Sequence, residues 1–320
     1  MNLLKNKFNI ILSGFLLIQI VYSQDLLKGK IVFQVKWGYQ SENVLLKIQD
    51  FEPWGVRDFW TYDDAYFYIM DTMNKQVKKF SKKGDLIWVT DVKYSPIYVW
   101  ELSDSTIIIL NTAWNQKYQI LKLDTTGNIL NISPLIKMPN SYINAILTVS
   151  KENIYVQTQK NAVRLDHELS ILDEIKISPN VKLAFYIYSD SIFPIKFRNF
   201  QPNPFVKIYQ SLEYNSRIYL NEESFSEGIT IETKDDLQSF EGMDSLGNFY
   251  LKRVSKGNNK DIVIKLSPHR ELISEKHIQF KTFHVTGFRL KIMPKGDIYT
   301  QNSDKEKYWI EKYPAEWFDK

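Results

Sequence analysis

The residues of this chain that could do acid–base or metal chemistry are acidic pairs and a few histidines. They are Asp63-Asp64, Asp235-Asp236, His167, His269, His277 and His284. Neighbouring side chains of a strand point to opposite faces, so neither acidic pair is a ready carboxylate dyad, and turn or solvent roles are expected. No histidine has a second histidine three or four residues away. Nucleophile elbows, zinc-protease motifs and phosphate-binding glycine loops do not occur in the sequence either.

Aromatic and arginine residues are the stronger candidates for binding. Aromatic residues make up 14% of the chain, with 8 Trp and 19 Tyr, and most of them are expected in a core. Trp114 in NTAWNQK, and Arg198 and Phe200 in KFRNFQPNP, instead lie in predicted loops. Exposed aromatic residues beside arginine are typical of interaction hot spots. We therefore expect these three residues to contact a partner on one face, with local loop packing as the alternative.

A repeated pattern indicates which elements position these residues. A strand-like run preceded by a polar turn recurs at intervals of 38 to 57 residues, and its first residues are Tyr66, Ile107, Ile154, Ile192, Phe249 and Ile298. Each copy then has a basic residue followed by a large apolar one. These second anchors are Lys79-Phe80, Lys122-Leu123, Arg164-Leu165, Lys207-Ile208, Lys265-Leu266 and Lys312-Tyr313. Six copies in one order predict six similar structural units.

Each unit has the composition of four short antiparallel strands. Turns such as SLGN and PKGD precede the first anchor, and turns such as SKKGD and DTTGN follow the second. Runs such as QILKLD and DIVIKLS lie between the turns and read as strands. Four strands in about 45 residues match one propeller blade, so an all-β, six-bladed propeller is predicted. The last unit lacks an obvious fourth strand, which residues 31–35 are expected to supply, closing the ring.

The repeat resembles the NHL-repeat and related six-bladed β-propeller families. DSLGNFYLKRVSKGNNKDIVIKLSPHRELI shows the pattern best, and the resemblance covers about residues 56–314. The third copy departs from it with Glu168-Leu169 where glycine is usual, and the fourth departs with Pro194 inside a strand run. The resemblance implies the fold and does not imply an activity.

Enzymes resembling lactonases share this fold and bind a divalent cation in the central channel. The channel-facing candidates in this chain are Arg57, Asp58, Trp100, Glu101, Asn144, Tyr186, Glu241 and Arg289. Calcium prefers six to eight oxygen ligands, and this set offers few oxygens and two cations. Arg57, Trp100, Glu241 and Arg289 are therefore predicted to line a binding site at the channel mouth, with ordinary channel lining as the alternative. No metal or cofactor is expected.

The N-terminus has the pattern of a secretory signal peptide. Lys5 and Lys7 precede a short apolar run, and small Ser23 stands just before Gln24. The run is too short to span a bilayer as a helix. Residues 1–23 are therefore predicted to be removed, leaving residues 24–320 as one exported domain, periplasmic or extracellular. The chain has no cysteine, so the core must hold this domain without disulfides.

Charge and composition narrow the classes of partner. The net charge is +4, and it would be +2 without Lys5 and Lys7, which gives no electrostatic reason to expect nucleic acid. The expectation is a monomeric binding or scaffold module for a protein, peptide or glycan, without a transmembrane segment. A metal-dependent hydrolase or lyase resembling lactonases is the alternative. A structural envelope role without a discrete ligand is the third possibility.

Overall fold

The computed structural model describes residues 26–49, 52–102, 106–113, 117–137, 146–149, 153–157, 161–176, 186–188, 191–193, 195–198, 229–232, 238–254, 260–267, 271–279, 281, 283 and 290–319. The predicted leader lies outside these residues. Almost all the regular structure is β. The strands are β1 Leu26–Leu27, β2 Lys30–Lys36, β3 Lys47–Gln49, β4 Glu52–Trp54, β5 Phe59–Trp60, β6 Tyr66–Asp71, β7 Gln76–Ser81, β8 Leu86–Asp91, β9 Ser95–Glu101, β10 Ile107–Ala113, β11 Lys117–Leu123, β12 Ile129–Ile132, β13 Ile136–Lys137, β14 Ile146–Val149, β15 Ile154–Gln157, β16 Asn161–Leu165, β17 Ile171–Lys176, β18 Tyr186–Tyr188, β19 Ser191–Phe193, β20 Ile195–Arg198, β21 Ile229–Glu232, β22 Gln238–Met243, β23 Phe249–Val254, β24 Lys260–Leu266, β25 Leu272–Gln279, β26 Leu290–Ile292, β27 Ile298–Ser303 and β28 Lys307–Tyr313. A 3-10 helix, Ala315–Phe318, follows the last strand.

The strands form an all-β propeller whose described part has five four-stranded blades. Blade 1 is β5–β8, blade 2 is β9–β12, blade 3 is β14–β17, blade 4 is β22–β25 and blade 5 is β26–β28 with β2. Within each blade, strands consecutive in the chain pair antiparallel, as the turn signals predict. Strand β13 adds to β11 in blade 2, and the hairpin of β3 and β4 precedes blade 1.

The prediction of six four-stranded blades is wrong in number. The predicted unit at Ile192 contributes a two-stranded hairpin, β18 with β19, which lies between β14 of blade 3 and β22 of blade 4. Strand β20 pairs parallel with β21 instead of extending this hairpin. Residue 194 in the sequence is a proline, which has no N–H to donate to a ladder, and this favours separation of the two strand runs.

The N-terminal strand β2 is the outermost strand of blade 5. It pairs antiparallel with β28, as the sequence predicts for residues 31–35. Its Phe33 packs on Tyr308 of blade 5 and on Phe67 and Phe80 of blade 1. The shorter β1 pairs parallel with β25 at the outer edge of blade 4. The N-terminal segment therefore crosses from the edge of one blade to the edge of the next.

The core lies between neighbouring blades. One cluster of buried apolar side chains joins blades 5, 1 and 2, a second joins blades 2 and 3, and a third joins blades 4 and 5. The inner strands carry the buried residues, whereas β8 alternates between partly buried and exposed side chains. This is the burial that period-2 patterning produces at the outer edge of a blade.

The first copy of the repeat is displaced by one residue from its predicted register. Phe80 pairs with Phe67, not with Tyr66, and Phe67 is buried while Tyr66 is partly exposed. In the other blades the predicted anchors do pair: Ile107 with Leu123, Ile154 with Leu165, Phe249 with Leu266 and Ile298 with Tyr313. The true first anchor is thus Phe67. Because the residues on either side of Phe67 are also aromatic, the sequence alone does not show which of them is the anchor.

Candidate functional site

The centre of the inner wall is an ion pair between Asp58 and Lys291. The Lys291 Nζ lies 2.8 Å from Oδ1 and 2.9 Å from Oδ2 of Asp58, and it donates to the Phe59 carbonyl at 2.7 Å. It also lies 3.5 Å from the Val99 carbonyl, and the Val99 N–H donates to Asp58 Oδ2 at 3.0 Å. These contacts connect the first strands of blades 5, 1 and 2 through one ammonium group.

Burial sets the electrostatics of this pair. The side chain of Asp58 has no exposed area and that of Lys291 is 15% exposed. Burial raises the pKa of the Asp58 carboxyl above its ordinary value, and Lys291 opposes that rise. Burial lowers the pKa of Lys291, and Asp58 opposes that fall. A lysine whose hydrogens are already donated to a carboxylate and a carbonyl is a structural cation and a poor nucleophile.

Arg57 lies at one end of this wall. Its guanidinium is 5.4 Å from the centre of the Trp54 ring, in a cation–π arrangement, and its side chain is buried. Burial lowers the pKa of Arg57, while Tyr98 and Asp58 oppose that shift. Gln301 of blade 5 donates to the Arg57 carbonyl, so the backbone here is also held from a neighbouring blade.

Trp60, Trp100 and Glu101 lie at the other end of the wall. The rings of Trp60 and Trp100 are 4.6 Å apart, and the Lys291 ammonium is 5.0 Å from the Trp60 ring. Tyr68 donates its hydroxyl to Glu101 Oε1 at 3.1 Å. Arg57 and Trp100 therefore both belong to the wall, but they occupy different levels of it. Arg57 and Trp60 are three positions apart in one extended segment, and the rise of a strand puts them about 10 Å apart along the wall.

The other predicted site residues do not join this group in the described structure. Glu241 forms an ion pair of 3.0 Å with Lys252 on the next strand of its own blade. Arg198 ends β20, and of this residue the backbone alone is described. Trp114, Phe200 and Arg289 lie outside the described residues, as does Asn144. The shared binding surface predicted for Trp114, Arg198 and Phe200 stays a prediction.

Lys291 belongs to the candidate site and is not among the residues that the sequence predicts for it. The segment GFRLKIM drew attention to Arg289, although the alternation of Leu290, Lys291 and Ile292 carries a signal. Leu290 and Ile292 are buried on one face, so Lys291 must point to the opposite one. Asp58 is one of the channel-facing residues that the sequence predicts, but its pairing with Lys291 could not be read from the sequence.

In four of the repeat units, the basic second anchor contacts the neighbouring blade. Lys79, Lys265 and Lys312 each pair across strands with a tyrosine: Tyr68, Tyr250 and Tyr299, respectively. The ammonium groups then reach past their own blade. Lys79 donates to the Thr125 carbonyl, Lys265 to Asp319 and Lys312 to Asp64. Lys122, the anchor of blade 2, donates to the His167 carbonyl in the same way. The recurring anchor is thus a structural contact between blades in these four units, whereas Arg164 pairs at 2.7 Å with Asp173 on the next strand of its own blade.

Asp64 has a larger role than the turn role expected of it. It accepts the Tyr299 hydroxyl at 2.5 Å on Oδ1 and the Lys312 ammonium at 2.8 Å on Oδ2. Its φ of 63° lies in the left-handed region, which aspartate tolerates better than most residues. Asp63, its neighbour, accepts the Ala65 N–H and keeps the predicted turn role.

The described residues contain no group of three or more His, Cys, Asp or Glu side chains that could hold a metal ion. At the centre of the wall, the oxygens of Asp58 and Phe59 are already taken by Lys291. Among the same residues, no helix has both the length and the apolar character needed to cross a membrane.

Comparisons with known proteins find similarity in structure and none in sequence. No protein-family model matches the chain, and no curated protein matches it. A streptogramin B lyase is 10% identical, with a TM-score of 0.48 over 88% of this chain and 98% of that one. A calcium-binding regucalcin from Agrobacterium tumefaciens is also 10% identical, with a TM-score of 0.46 over 89% and 94%. A protein of unknown function from Bacteroides caccae is 11% identical, with a TM-score of 0.43 over 76% and 93%. All three scores are below 0.5 and say nothing about activity.

Proposed function

We propose that this chain is an exported propeller that binds a protein, peptide or glycan of the envelope or exterior. Binding occurs at one face and the adjoining channel, whose wall carries Arg57, stacked on Trp54, at one end and the ring of Trp100 at the other. Such a surface, with a few fixed polar groups among aromatic rings, suits recognition. The chain acts as a scaffold of rigid blades and as a monomer.

The observation that carries this proposal is the Lys291 ammonium at the centre of the wall. It takes both carboxylate oxygens of Asp58 and the Phe59 carbonyl, at 2.7 to 2.9 Å. These oxygens would otherwise be the ligands of a channel cation. A wall held together by its own ion pair supports a preformed binding surface better than the alternative metal-dependent hydrolase or lyase.

Export and ring closure are parts of the same proposal. Cleavage after Ser23 would place the new N-terminus two residues before β1, which pairs with β25. Closure by β2 is supported by Phe33, whose ring contacts aromatic side chains of both blade 5 and blade 1. The hairpin of β18 and β19 takes the remaining place in the ring.

Capture of a partner tests the proposal. The immobilised mature chain, residues 24–320, is incubated with native envelope extract and with culture medium, and retained material is identified by mass spectrometry and glycan analysis. Arg57→Met and Trp100→Phe should each reduce retention of the same species at least tenfold, because each removes a group of the channel wall. Lys122→Met, at a contact between blades 2 and 3, is the control and should retain it fully. Equal retention by all four proteins would contradict the proposal.

A further inference from the structure

Four basic residues of the described part of the chain are buried, and they differ in what neutralises them. They are Arg57, Lys78, Lys79 and Lys265. The ammonium of Lys78 lies 2.8 Å from the Asp71 carboxylate, and that of Lys265 lies 2.5 Å from the Asp319 carboxylate. The ammonium of Lys79 lies 3.4 Å from a backbone carbonyl of blade 2. Each of the three lysines therefore has an acceptor for its charge.

Arg57 is the exception among these four residues. Its guanidinium forms no ion pair and donates no hydrogen bond to a described residue, and Tyr98 and Asp58 act on it through space alone. The Asp58 carboxylate is already taken by Lys291 and by the Val99 N–H. Arg57 is 8% exposed, and its nitrogens are not among the side-chain atoms that are sealed from solvent without a partner. The unpaired N–H groups therefore still reach the solvent.

The position of this guanidinium is fixed from three sides. The Arg57 N–H donates to the Met70 carbonyl at 3.3 Å, and the Arg57 carbonyl accepts from Gln301 of blade 5. The ring of Trp54 lies 5.4 Å from the guanidinium carbon. An aromatic ring at one face of a guanidinium leaves the edge that carries the N–H donors open. The group is thus held in place before any ligand arrives, which lowers the entropic cost of binding.

The geometry points to Arg57 as the carboxylate-binding residue of the channel wall, whose N–H edge takes both oxygens of a ligand carboxylate. Guanidinium and carboxylate match in this two-pronged way, and one cation balances one negative charge. A largely buried charge without a partner is costly, so a ligand carboxylate would give Arg57 what Asp58 gives Lys291. The inference rests on the proposed binding function and makes its ligand acidic. Acidic peptides and glycans that contain a uronic acid share this chemistry.

Matched acidic and neutral probes test the site. N-acetylglycine is compared with N-acetylglycinamide, and galacturonic acid with galactose, by calorimetry and tryptophan fluorescence with the mature chain. At least one acid should bind about tenfold more tightly than its neutral match, because an amide or hydroxyl cannot accept both N–H groups as an anion does. Preference for N-acetylglycine would assign the site to a peptide, and preference for galacturonic acid would assign it to a glycan; either supports the inference.

Variants then locate the preference for the acid. Arg57→Met should abolish it, and Arg57→Lys, which keeps the charge and loses the planar fork, should retain a part. Lys47→Met is the matched control, because it removes the same charge from an exposed position opposite Trp54 in the hairpin of β3 and β4. Solvent screens that charge, so the acid should bind within about twofold of the unchanged chain. Thermal unfolding shows whether each variant is folded, and the preference of the unchanged chain needs no variant.

Three outcomes would overturn the inference. The first is equal binding of acidic and neutral probes by the unchanged chain. The second is an undiminished acid preference in folded Arg57→Met. The third is tighter binding of inorganic phosphate or sulfate than of either acid, which would assign the site to those anions.

Capture from extract separates this inference from the binding function. The carboxylates of the envelope extract are converted to methylamides with a carbodiimide and methylamine before incubation with the immobilised chain. Loss of capture after this treatment supports the carboxylate site, whereas undiminished capture overturns it and leaves the binding function standing. Absence of capture from untreated extract, with an acidic probe still bound, would instead remove the binding function and leave the carboxylate site standing.

Discussion

Lys291 and Asp58 are separated by 233 residues of sequence and meet at hydrogen-bond distance on the inner wall. Their contact joins the first and last blades, and the Val99 N–H extends it to the second. Leaving a charge buried without its partner costs far more free energy than burying the intact ion pair. This contact is therefore a sensitive point of the propeller.

Lys291→Met is expected to lower the free energy of unfolding by about 3–5 kcal/mol, because it leaves the Asp58 carboxylate buried and unpaired. Chemical denaturation with both proteins measures the difference. Lys295→Met, at an exposed position of the following turn, is the control and should stay within about 0.5 kcal/mol. The double variant Asp58→Asn/Lys291→Met should recover part of the loss. A single variant as stable as the unchanged chain would show that the pair is dispensable.

The lysine contacts between blades should differ in strength according to their burial. Lys312 lies 2.8 Å from Asp64 and 2.7 Å from Asp297, with all three side chains largely covered. Lys122 lies 3.4 Å from Glu168, whose side chain is 76% exposed. Lys312→Met should therefore cost about 1–3 kcal/mol, and Lys122→Met, through this pair, less than about 1 kcal/mol. Denaturation midpoints that rank in the reverse order would contradict this interpretation.

Gly29, between β1 and β2, is expected to tolerate no side chain. A Cβ there would stand 2.7 Å from the Tyr313 ring and 2.8 Å from the Cβ of Glu311. Gly29→Ala should lower the free energy of unfolding by about 1–3 kcal/mol, because β2 must move off β28. At the control Gly38→Ala, the new Cβ meets the side chain of Asn43 on a surface loop, which can turn away.

Deletion of residues 29–35 should destabilise the whole domain, and unchanged solubility and melting temperature after deletion would argue against closure by β2.

Asp124 should contribute to stability in a defined acid range. Hydrogen bonds from Thr126 and Asn128 lower the pKa of its carboxyl from 3.8 to about 2 in the folded chain. A lowered folded pKa stabilises the protein above the unfolded pKa, and this contribution is lost as the pH falls from about 4 to about 2. The stability difference between the unchanged chain and Asp124→Asn should therefore be constant near neutral pH and shrink across that range. A constant difference down to pH 2 would assign the effect to something other than the charge.

Trp114→Ala, Arg198→Ala and Phe200→Ala are expected to weaken partner capture without lowering the melting temperature. The sequence places Trp114 and Phe200 in loops, which carry contacts and little of the core. Arg198, also predicted in a loop, is instead the last residue of β20. Retention from envelope extract and thermal unfolding are measured side by side for each variant. Full capture by a double variant of Trp114 and Phe200 would show that these loops lie away from the binding face.

Local patterns in the sequence were enough to predict the class of fold and part of its topology. Turn residues and alternating runs predict short antiparallel strands, and the repeated basic anchor predicts similar units. The need for a last outer strand predicted that residues 31–35 pair with the final unit, which β2 does. These features depend on local chemistry, since strand period and turn preference act over a few neighbouring residues.

The packing of the blades sets their number, the register of the first blade and the contacts between side chains of different blades. The unit at Ile192 forms a hairpin instead of a four-stranded blade, and Phe67 takes the place predicted for Tyr66. Alternation shows that Lys291 faces away from its apolar neighbours, but Asp58 reaches it from another blade, more than 200 residues away. The hydrogen bond from the Tyr68 hydroxyl to Glu101 likewise joins two blades. Such pairings depend on how the blades pack around the axis. The periodicity along one strand shows which way a side chain points, but it does not show which side chain of another blade will contact it.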